Sequence, residues 1–284
     1  MNLFNIFDSG TLPLGAWVQI GVDWMSANWR GFFQAIKLPV EFVLDGIEWA
    51  LLAVPPTVMV VLITALAWRV AGWRTGVVTL LALLIVGFTA MWELTMITLA
   101  MVIAAVVFCV VVGVPLGILA ARSDRFQSGL RPVLDVMQTT PAFVYLVPVV
   151  MLFGIGTVAG VLATIVFALP PMVRLTNLGI RQVREDVVEA AKAFGASPWQ
   201  VLTKVQVPLA LPTIMAGLNQ TIMLSLSMVV IAALIGAGGL GTPVFRGLNS
   251  LNVGLAFVGG LGIVLLAIVL DRITQGIGAE VGAG

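Results

Sequence analysis

The chain has 284 residues, of which 60% are hydrophobic and only 10% are charged, and its formal net charge is +1. Soluble domains carry about 25% charged residues, so this composition excludes a water-soluble fold of this length and indicates a lipid environment. The small net charge gives no bulk attraction to nucleic acid. The absence of His and the single Cys109 argue against a metal centre or a disulfide framework.

Residues 1–46 precede the first long apolar run and mix aromatic with polar side chains. Trp17, Trp24, Phe32 and Phe42 recur among polar residues at helical spacings. This pattern predicts one or two amphipathic helices lying at the outer membrane interface. An extra buried hairpin or an unstructured tail is the alternative.

Seven apolar runs follow, and each is of the length that crosses a bilayer. A hydrocarbon core of about 30 Å needs about 20 helical residues. Charged or glycine-rich breaks divide the chain into predicted spans near 49–68, 73–92, 94–121, 138–153, 158–173, 209–235 and 253–270. The first two lie within residues 47–93. We therefore predict an all-α polytopic membrane protein.

The basic residues orient these spans. With the N-terminus outside, all but three of the 14 Lys and Arg residues fall on the cytoplasmic side, the exceptions being Arg30, Lys37 and Arg246. Loops rich in Lys and Arg stay in the cytoplasm. The prediction is an N-out, C-in topology.

Residues 174–208 form the largest predicted cytoplasmic segment and suggest two short helices with a sharp joint. Gly195 is placed to end the first helix in a left-handed conformation. Ser197 and Gln200 have the spacing of a capping box around a proline start, and Pro208 is expected to limit the second helix. From the residues alone, two interpretations of this segment stay open: it docks on a partner protein, or it packs on its own helix bundle.

One spaced motif in this segment resembles the EAA loop of ABC-importer permeases. The pattern Glu-Ala-Ala-x3-Gly-x9-Ile-x-Leu-Pro is matched with valine in place of Ile and of Leu, at Glu189, Ala190, Ala191, Gly195, Val205, Val207 and Pro208. The resemblance implies that this loop couples to a separate ATPase subunit. It also implies a type I importer core at 94–275, preceded by two accessory transmembrane helices at 47–93, with a coupling loop at 174–208 and a short tail at 276–284.

Three further stretches, 137–146, 167–178 and 211–221, resemble glycine betaine/proline betaine permeases. This resemblance implies import of quaternary ammonium osmoprotectants across the bacterial cytoplasmic membrane. Its implied partners are two ATPase subunits, an extracytoplasmic binding protein and a second permease copy. The sequence has no Gly-x4-Gly-Lys phosphate loop. We therefore expect no cofactor on this chain, with ATP and Mg on the partner ATPase.

Polar and flexible side chains in two spans are candidates for lining a translocation path. They are Gln138, Thr139, Thr140, Tyr145, Asn219, Gln220, Thr221, Met223 and Ser225. The alternative is that they bridge helices, the commoner use of polar groups in membranes. No catalytic or metal-binding residue is predicted.

Other functions stay open at this point. A permease for choline, carnitine or an amino acid would share every core motif. An ion-coupled secondary transporter is disfavoured, because no predicted span carries a charged residue near its middle. A membrane enzyme is disfavoured because no cluster of acid, base and nucleophile is present.

Overall fold

The computed structural model describes residues 13–283, and within that range the secondary structure is helical with no strand. The α-helices are α1 (Leu14–Asn28), α2 (Arg30–Ala53), α3 (Pro56–Phe88), α4 (Trp92–Arg122), α5 (Asp124–Thr139), α6 (Leu146–Phe153), α7 (Thr157–Arg181), α8 (Glu185–Ala193), α9 (Pro198–Val201), α10 (Val207–Ala232), α11 (Gly241–Asn249) and α12 (Val253–Ala283). The predicted all-α class is confirmed.

Among residues 13–283, five helical segments are long and apolar enough to cross a membrane, or six if the bent pair α5–α6 counts as one span. The five are α3, α4, α7, the continuous segment Pro198–Ile235, and α12 up to Gly278. The stop predicted near 235 is confirmed, since a short 3-10 turn ends at Ile235 and Gly236 adopts a left-handed conformation.

Helix α3 folds back on itself, and its two arms correspond to the first two predicted spans. Gly72 leaves helical geometry with φ 83° and ψ 171°. A straight helix of this length would separate Pro56 from Phe88 by about 48 Å, yet both residues line one cavity. The start predicted at residue 49 is wrong. Val54 is extended before Pro55, as steric clash with the following ring favours, and the helix begins at Pro56.

The fourth span predicted at 138–153 is also wrong. Helix α5 ends at Thr139, and the chain turns by 104° before the segment Ala142–Phe153. That segment is a 4-residue 3-10 turn and an 8-residue helix, which together rise only about 20 Å. It is too short to cross alone. Helix α7 instead extends eight residues past the predicted end at 173, to Arg181.

Helices α4, α7 and α10 form the centre of the bundle. Close approach of α4 to α7 depends on two glycines. A β-carbon at Gly117 would lie 2.5 Å from Cβ of Thr176, and one at Gly113 would lie 2.9 Å from Cγ of Met172. A glycine pair in a membrane helix can serve as a hinge or allow tight packing of a neighbouring helix. The close contacts of Gly113 and Gly117 with α7 favour tight packing. Helix α12 covers α10 and α3.

The N-terminal segment is more deeply engaged than predicted. Two helices are present, as expected, although residues 1–12 of the predicted segment 1–46 lie outside the described range. Helix α2 packs against α4, and its Phe33, Val40 and Leu44 are buried. Helix α2 thus has one side covered by the bundle, while Phe32, Leu38 and Phe42 on its other side stay exposed, and the location of residues 1–46 at the outer interface stays a prediction. Helix α1 has no buried residue.

Candidate coupling surface and translocation path

We call α8 and α9 the coupling helices, because they lie in the loop that the sequence predicts to couple to an ATPase. Helix α8 ends as predicted at a left-handed glycine. Gly195 has φ +84°. Its N–H donates to the Lys192 carbonyl at 2.9 Å, and the Ala196 N–H donates to the Ala191 carbonyl at 3.0 Å. This is the hydrogen-bond pattern of a Schellman cap, which satisfies the last carbonyls of a helix. The joint between α8 and α9 is thus fixed by backbone geometry.

The second coupling helix starts with the predicted capping box. The Ser197 hydroxyl accepts from the Gln200 N–H at 3.3 Å, and the Gln200 side-chain oxygen accepts from the Ser197 N–H at 2.8 Å. The prediction that Pro208 limits this helix is wrong. A π-helical turn at Leu202–Gln206 leads directly into α10 at Val207. Such a widened turn removes the clash between the proline ring and the carbonyl four residues earlier.

One side of this segment is exposed and combines the charged helix α8 with two large apolar side chains, and we call it the coupling surface: α8, Phe194 and Trp199. Phe194 is 93% exposed and Trp199 is 67% exposed, and no residue of α8 is buried. Glu189 and Ala190 are exposed with them, whereas Ala191 and Val205 are half-buried. Large apolar side chains held this far into solvent mark an interaction site.

The opposite side of the segment is anchored in the bundle. Val201 and Leu202 are buried, and Leu202 belongs to a core cluster with Met172 of α7 and Ile214 of α10. The Arg122 guanidinium donates to the Pro198 carbonyl at 3.2 Å. The segment is therefore packed against both α7 and α10.

Two ion pairs connect α5 to the same end of α7. Arg174 contacts Asp135 at 2.5 Å, and Arg181 contacts Asp124 at 2.7 Å. Arg181 also donates to the Ala120 carbonyl at 2.8 Å. The carboxylates are more than half exposed, so each pair contributes little to stability. They fix the position of α5 more than they strengthen the fold.

Two of the predicted path residues lie inside the bundle. Thr221 and Ser225 are fully buried. Their hydroxyls donate to the carbonyls four residues earlier, Gly217 at 2.9 Å and Thr221 at 2.8 Å. In this conformation they face packed helices and no open path.

Asn219 bridges helices. Its amide nitrogen donates to Asp271 at 2.9 Å, and its oxygen accepts from the Thr274 hydroxyl at 3.0 Å. Gln275 donates to the same Asp271 oxygen at 2.7 Å. This network between α10 and α12 was missed from the sequence, where Asp271 was taken only as the end of a span. The sequence feature that could have indicated this network is the presence of one polar residue in each of two otherwise apolar helices, Asn219 in α10 and Asp271 in α12.

Three residues near residue 140 stabilise the bend after α5. The Tyr145 hydroxyl donates to the Met137 carbonyl at 2.9 Å. The hydroxyls of Thr139 and Thr140 donate to the carbonyls of Asp135 and Val136 at 2.9 and 2.8 Å. The Tyr145 contact satisfies the Met137 carbonyl, whose backbone donor is missing because the residue four positions later is Pro141.

The remaining candidates have accessible surface. Gln138 and Gln220 are exposed, and Met223 is half-buried. Gln220, Met223 and Ser227 follow one another at spacings of three and four, so they share one face of α10. We call this the open face of α10. It is the part of the predicted path that the bundle leaves uncovered.

The sequence that forms this helical membrane bundle matches the model of a known protein family. Residues 113–281 match the family described as "Binding-protein-dependent transport system inner membrane component". The chain belongs to this family. The match begins in the last third of α4 and continues through α5 to α11 and most of α12, and it makes the chain a multi-pass inner-membrane transport subunit.

Family members with high identity extend over nearly the whole chain. The glycine betaine/proline betaine transport system permease protein ProW of Escherichia coli (strain K12) is 54% identical over 98% of this chain and 79% of that protein. The glycine betaine/carnitine transport permease protein GbuB of Listeria monocytogenes is 46% identical over 93% of this chain and 95% of that protein. The glycine betaine transport system permease protein OpuAB of Bacillus subtilis is 44% identical over 94% of both.

A solved structure of the MetNI methionine ABC transporter, in inward-facing conformations, has the same fold. Its chain aligns with a TM-score of 0.56 and 24% identity, covering 66% of this chain and 92% of that chain. The predicted type I ABC importer fold is confirmed.

Proposed function

We propose that this chain is the membrane-spanning permease subunit of an ATP-driven importer for glycine betaine and proline betaine. The observation that carries the proposal is the 54% identity with ProW over 98% of the chain. Carnitine is the second candidate cargo, because the permease with 46% identity is named for glycine betaine and carnitine. Glycine betaine, proline betaine and carnitine all carry a quaternary ammonium group, so one pathway suits all three.

ATP and Mg are bound in this proposal by two copies of a separate ATPase, and the permease works as a homodimer. Two exposed coupling surfaces, one from each copy, present a symmetric pair of docking sites to those ATPases. Glu189, Ala190, Ala191, Gly195, Val205 and Pro208 have mechanical roles in this scheme. A substrate-loaded binding protein docks on the opposite side of the membrane.

Closure of the ATPases moves the coupling surface, and the motion reaches the bundle through Leu202. Because Leu202 packs between α7 and α10, displacement of α9 shifts both helices. The π-helical turn at Leu202–Gln206 lies between the loop and α10, at the point where such a displacement enters the membrane. The open face of α10 then alternates between inward and outward access.

Passage of the quaternary ammonium group needs no carboxylate on the path. Gln138 and Gln220 offer amide oxygens at the protein surface, and a quaternary ammonium group is weakly attracted by oxygen dipoles and aromatic faces. A path without a deep site releases its cargo readily. Recognition then belongs to the binding protein.

Reconstitution tests this function. Proteoliposomes containing the chain, its ATPase and its binding protein should accumulate radiolabelled glycine betaine when ATP is present, and excess proline betaine should compete. Methionine should not compete. Accumulation by this chain alone under an ion gradient would refute the ATP-driven scheme. ATP-dependent uptake of another solute, with glycine betaine neither transported nor competing, would refute the substrate.

A further inference from the structure

A cleft opens between α5 and α7 at the end of the bundle that carries the coupling helices. Its volume is about 350 Å³, near the lower end of ligand clefts, which hold about 300–1,000 Å³. Its polar lining includes three guanidinium groups and one carboxylate, those of Arg131, Arg174, Arg181 and Asp135. The cleft therefore has a net positive lining.

The three arginines are not equally engaged. Arg174 pairs with Asp135, and Arg181 pairs with Asp124. Arg131 has no ion pair or hydrogen bond among residues 13–283. An unengaged guanidinium beside two others is suited to hold an anion with several oxygen atoms, and it binds phosphate in a two-pronged geometry.

Apart from Gln127 and Asn177, the rest of the lining is an apolar wall, and it lies at the membrane boundary. Leu130, Leu134 and Leu178 line it. Arg122 and Arg181 end the spans of α4 and α7 beside it, which places the cleft where lipid headgroups meet the protein. Basic pockets between membrane helices on the cytoplasmic side bind acidic headgroups.

We propose that this cleft binds the phosphodiester of an acidic phospholipid, with Arg131 as the principal contact and Arg174 as the second. The leucine wall meets the glycerol and the first acyl carbons, a contact that a free phosphate ion cannot make. The lipid phosphate competes with Asp135 for Arg174. The site is independent of which solute the protein transports.

Native mass spectrometry of the full-length purified chain tests the site, with phosphatidylglycerol and phosphatidylcholine as probes. The wild type should retain phosphatidylglycerol preferentially. Arg131→Gln should lower that retention about fivefold, the effect of one basic residue at a charged membrane surface. Arg125→Gln removes the same charge from the same helix outside the cleft lining, and it should retain the lipid as the wild type does.

Asp135→Asn supplies a test of opposite sign. It removes the carboxylate that lines the cleft and frees Arg174, so phosphatidylglycerol retention should rise. A variant that merely misfolds would lose lipid instead. The retained lipid should also survive millimolar inorganic phosphate, because the leucine wall adds to its affinity.

Four results would overturn the proposal. Equal losses in Arg131→Gln and Arg125→Gln would mean diffuse surface charge, and equal retention of both lipids would mean no headgroup recognition. Displacement of the lipid by inorganic phosphate alone would assign the cleft to a soluble anion. A change of oligomeric state in Arg131→Gln would make the cleft an interface between two copies.

Discussion

The coupling surface and the middle of α10 differ in where their distinctive side chains point. In the coupling surface, apolar groups project into solvent, with Phe194 93% exposed. In the middle of α10, the polar hydroxyls of Thr221 and Ser225 point into the protein and are fully buried. The first region has side chains without a partner in this chain, whereas the second has polar groups already satisfied within it.

This difference separates residues that await a partner from residues that build the scaffold. An exposed apolar side chain gains free energy only when another surface covers it. A buried hydroxyl bonded to its own helix has its one donor already used, and burial keeps its oxygen from accepting a bond from a ligand. By this criterion Gln220 remains a path candidate, and Ser225 does not.

The largest effect is expected from Gly195→Val, which attacks the joint of the coupling helices. A β-branched residue at φ +84° is strained by about 1–2 kcal/mol, enough to shift the population of the native joint by about 5- to 30-fold. ATP-dependent uptake in reconstituted vesicles should fall by a comparable factor, while membrane insertion stays normal.

The matched control for this variant is Gly46→Val. Gly46 lies within α2, a β-carbon there meets nothing within 4 Å, and its φ is not positive. Uptake should be unchanged in this variant. Normal uptake in Gly195→Val would instead show that transport does not depend on the geometry of this joint, and it would refute the assignment of α8 and α9 to coupling.

Asn219→Leu should produce the next largest effect, on stability. It removes one donor from Asp271 and the acceptor of Thr274. The Thr274 hydroxyl keeps the Leu270 carbonyl as an acceptor at 2.8 Å, so the main cost is one lost hydrogen bond to the Asp271 carboxylate, about 1.5–3 kcal/mol. The melting midpoint in detergent should drop by about 2–4 °C for each kcal/mol. Gln220→Leu, at the adjacent exposed position, should have the melting midpoint of the wild type. An equal decrease of the melting midpoint in both variants would contradict the bridging role of Asn219.

Ser197→Ala is expected to have a smaller effect, confined to the second coupling helix. Loss of the cap costs about 1 kcal/mol, and uptake should decrease by about fivefold at most. Ser197→Thr keeps a capping hydroxyl and should restore most of the activity. If alanine and threonine behaved alike, the capping box would have no part in coupling.

The coupling helices could be predicted from the sequence because their geometry depends on neighbouring residues. The glycine stop at Gly195 and the box of Ser197 and Gln200 each involve residues at most five apart along the chain. The continuation through Pro208 could not be predicted. A proline after apolar residues ends most helices, and only the π-helical turn before it makes this one continue.

The ends of the spans depended on contacts that a hydropathy pattern does not contain. The bend after Thr139 is held by the Tyr145 hydroxyl from six residues further on. The network of Asn219 joins residues 52 and 55 apart in the chain. An apolar run in the sequence indicates that a helix lies in lipid, but it does not indicate which face of that helix packs against another helix. The side of a polar residue therefore stayed undecided until the packing of α10 was known.

The smallest effects are expected on α10 itself, where two polar residues five positions apart should behave differently. Gln220→Ala removes an exposed amide from the open face, and loss of one such hydrogen bond, about 1 kcal/mol, should raise the half-saturating concentration for uptake by at most about fivefold. Ser225→Ala removes a buried hydroxyl whose donor is satisfied by the Thr221 carbonyl, so uptake kinetics should not change. Both are measured by initial uptake rates in the same vesicles, at matched protein content. A larger defect in Ser225→Ala than in Gln220→Ala would place the path on the other side of α10, and a transport cycle that turns this helix would then be needed to expose Ser225.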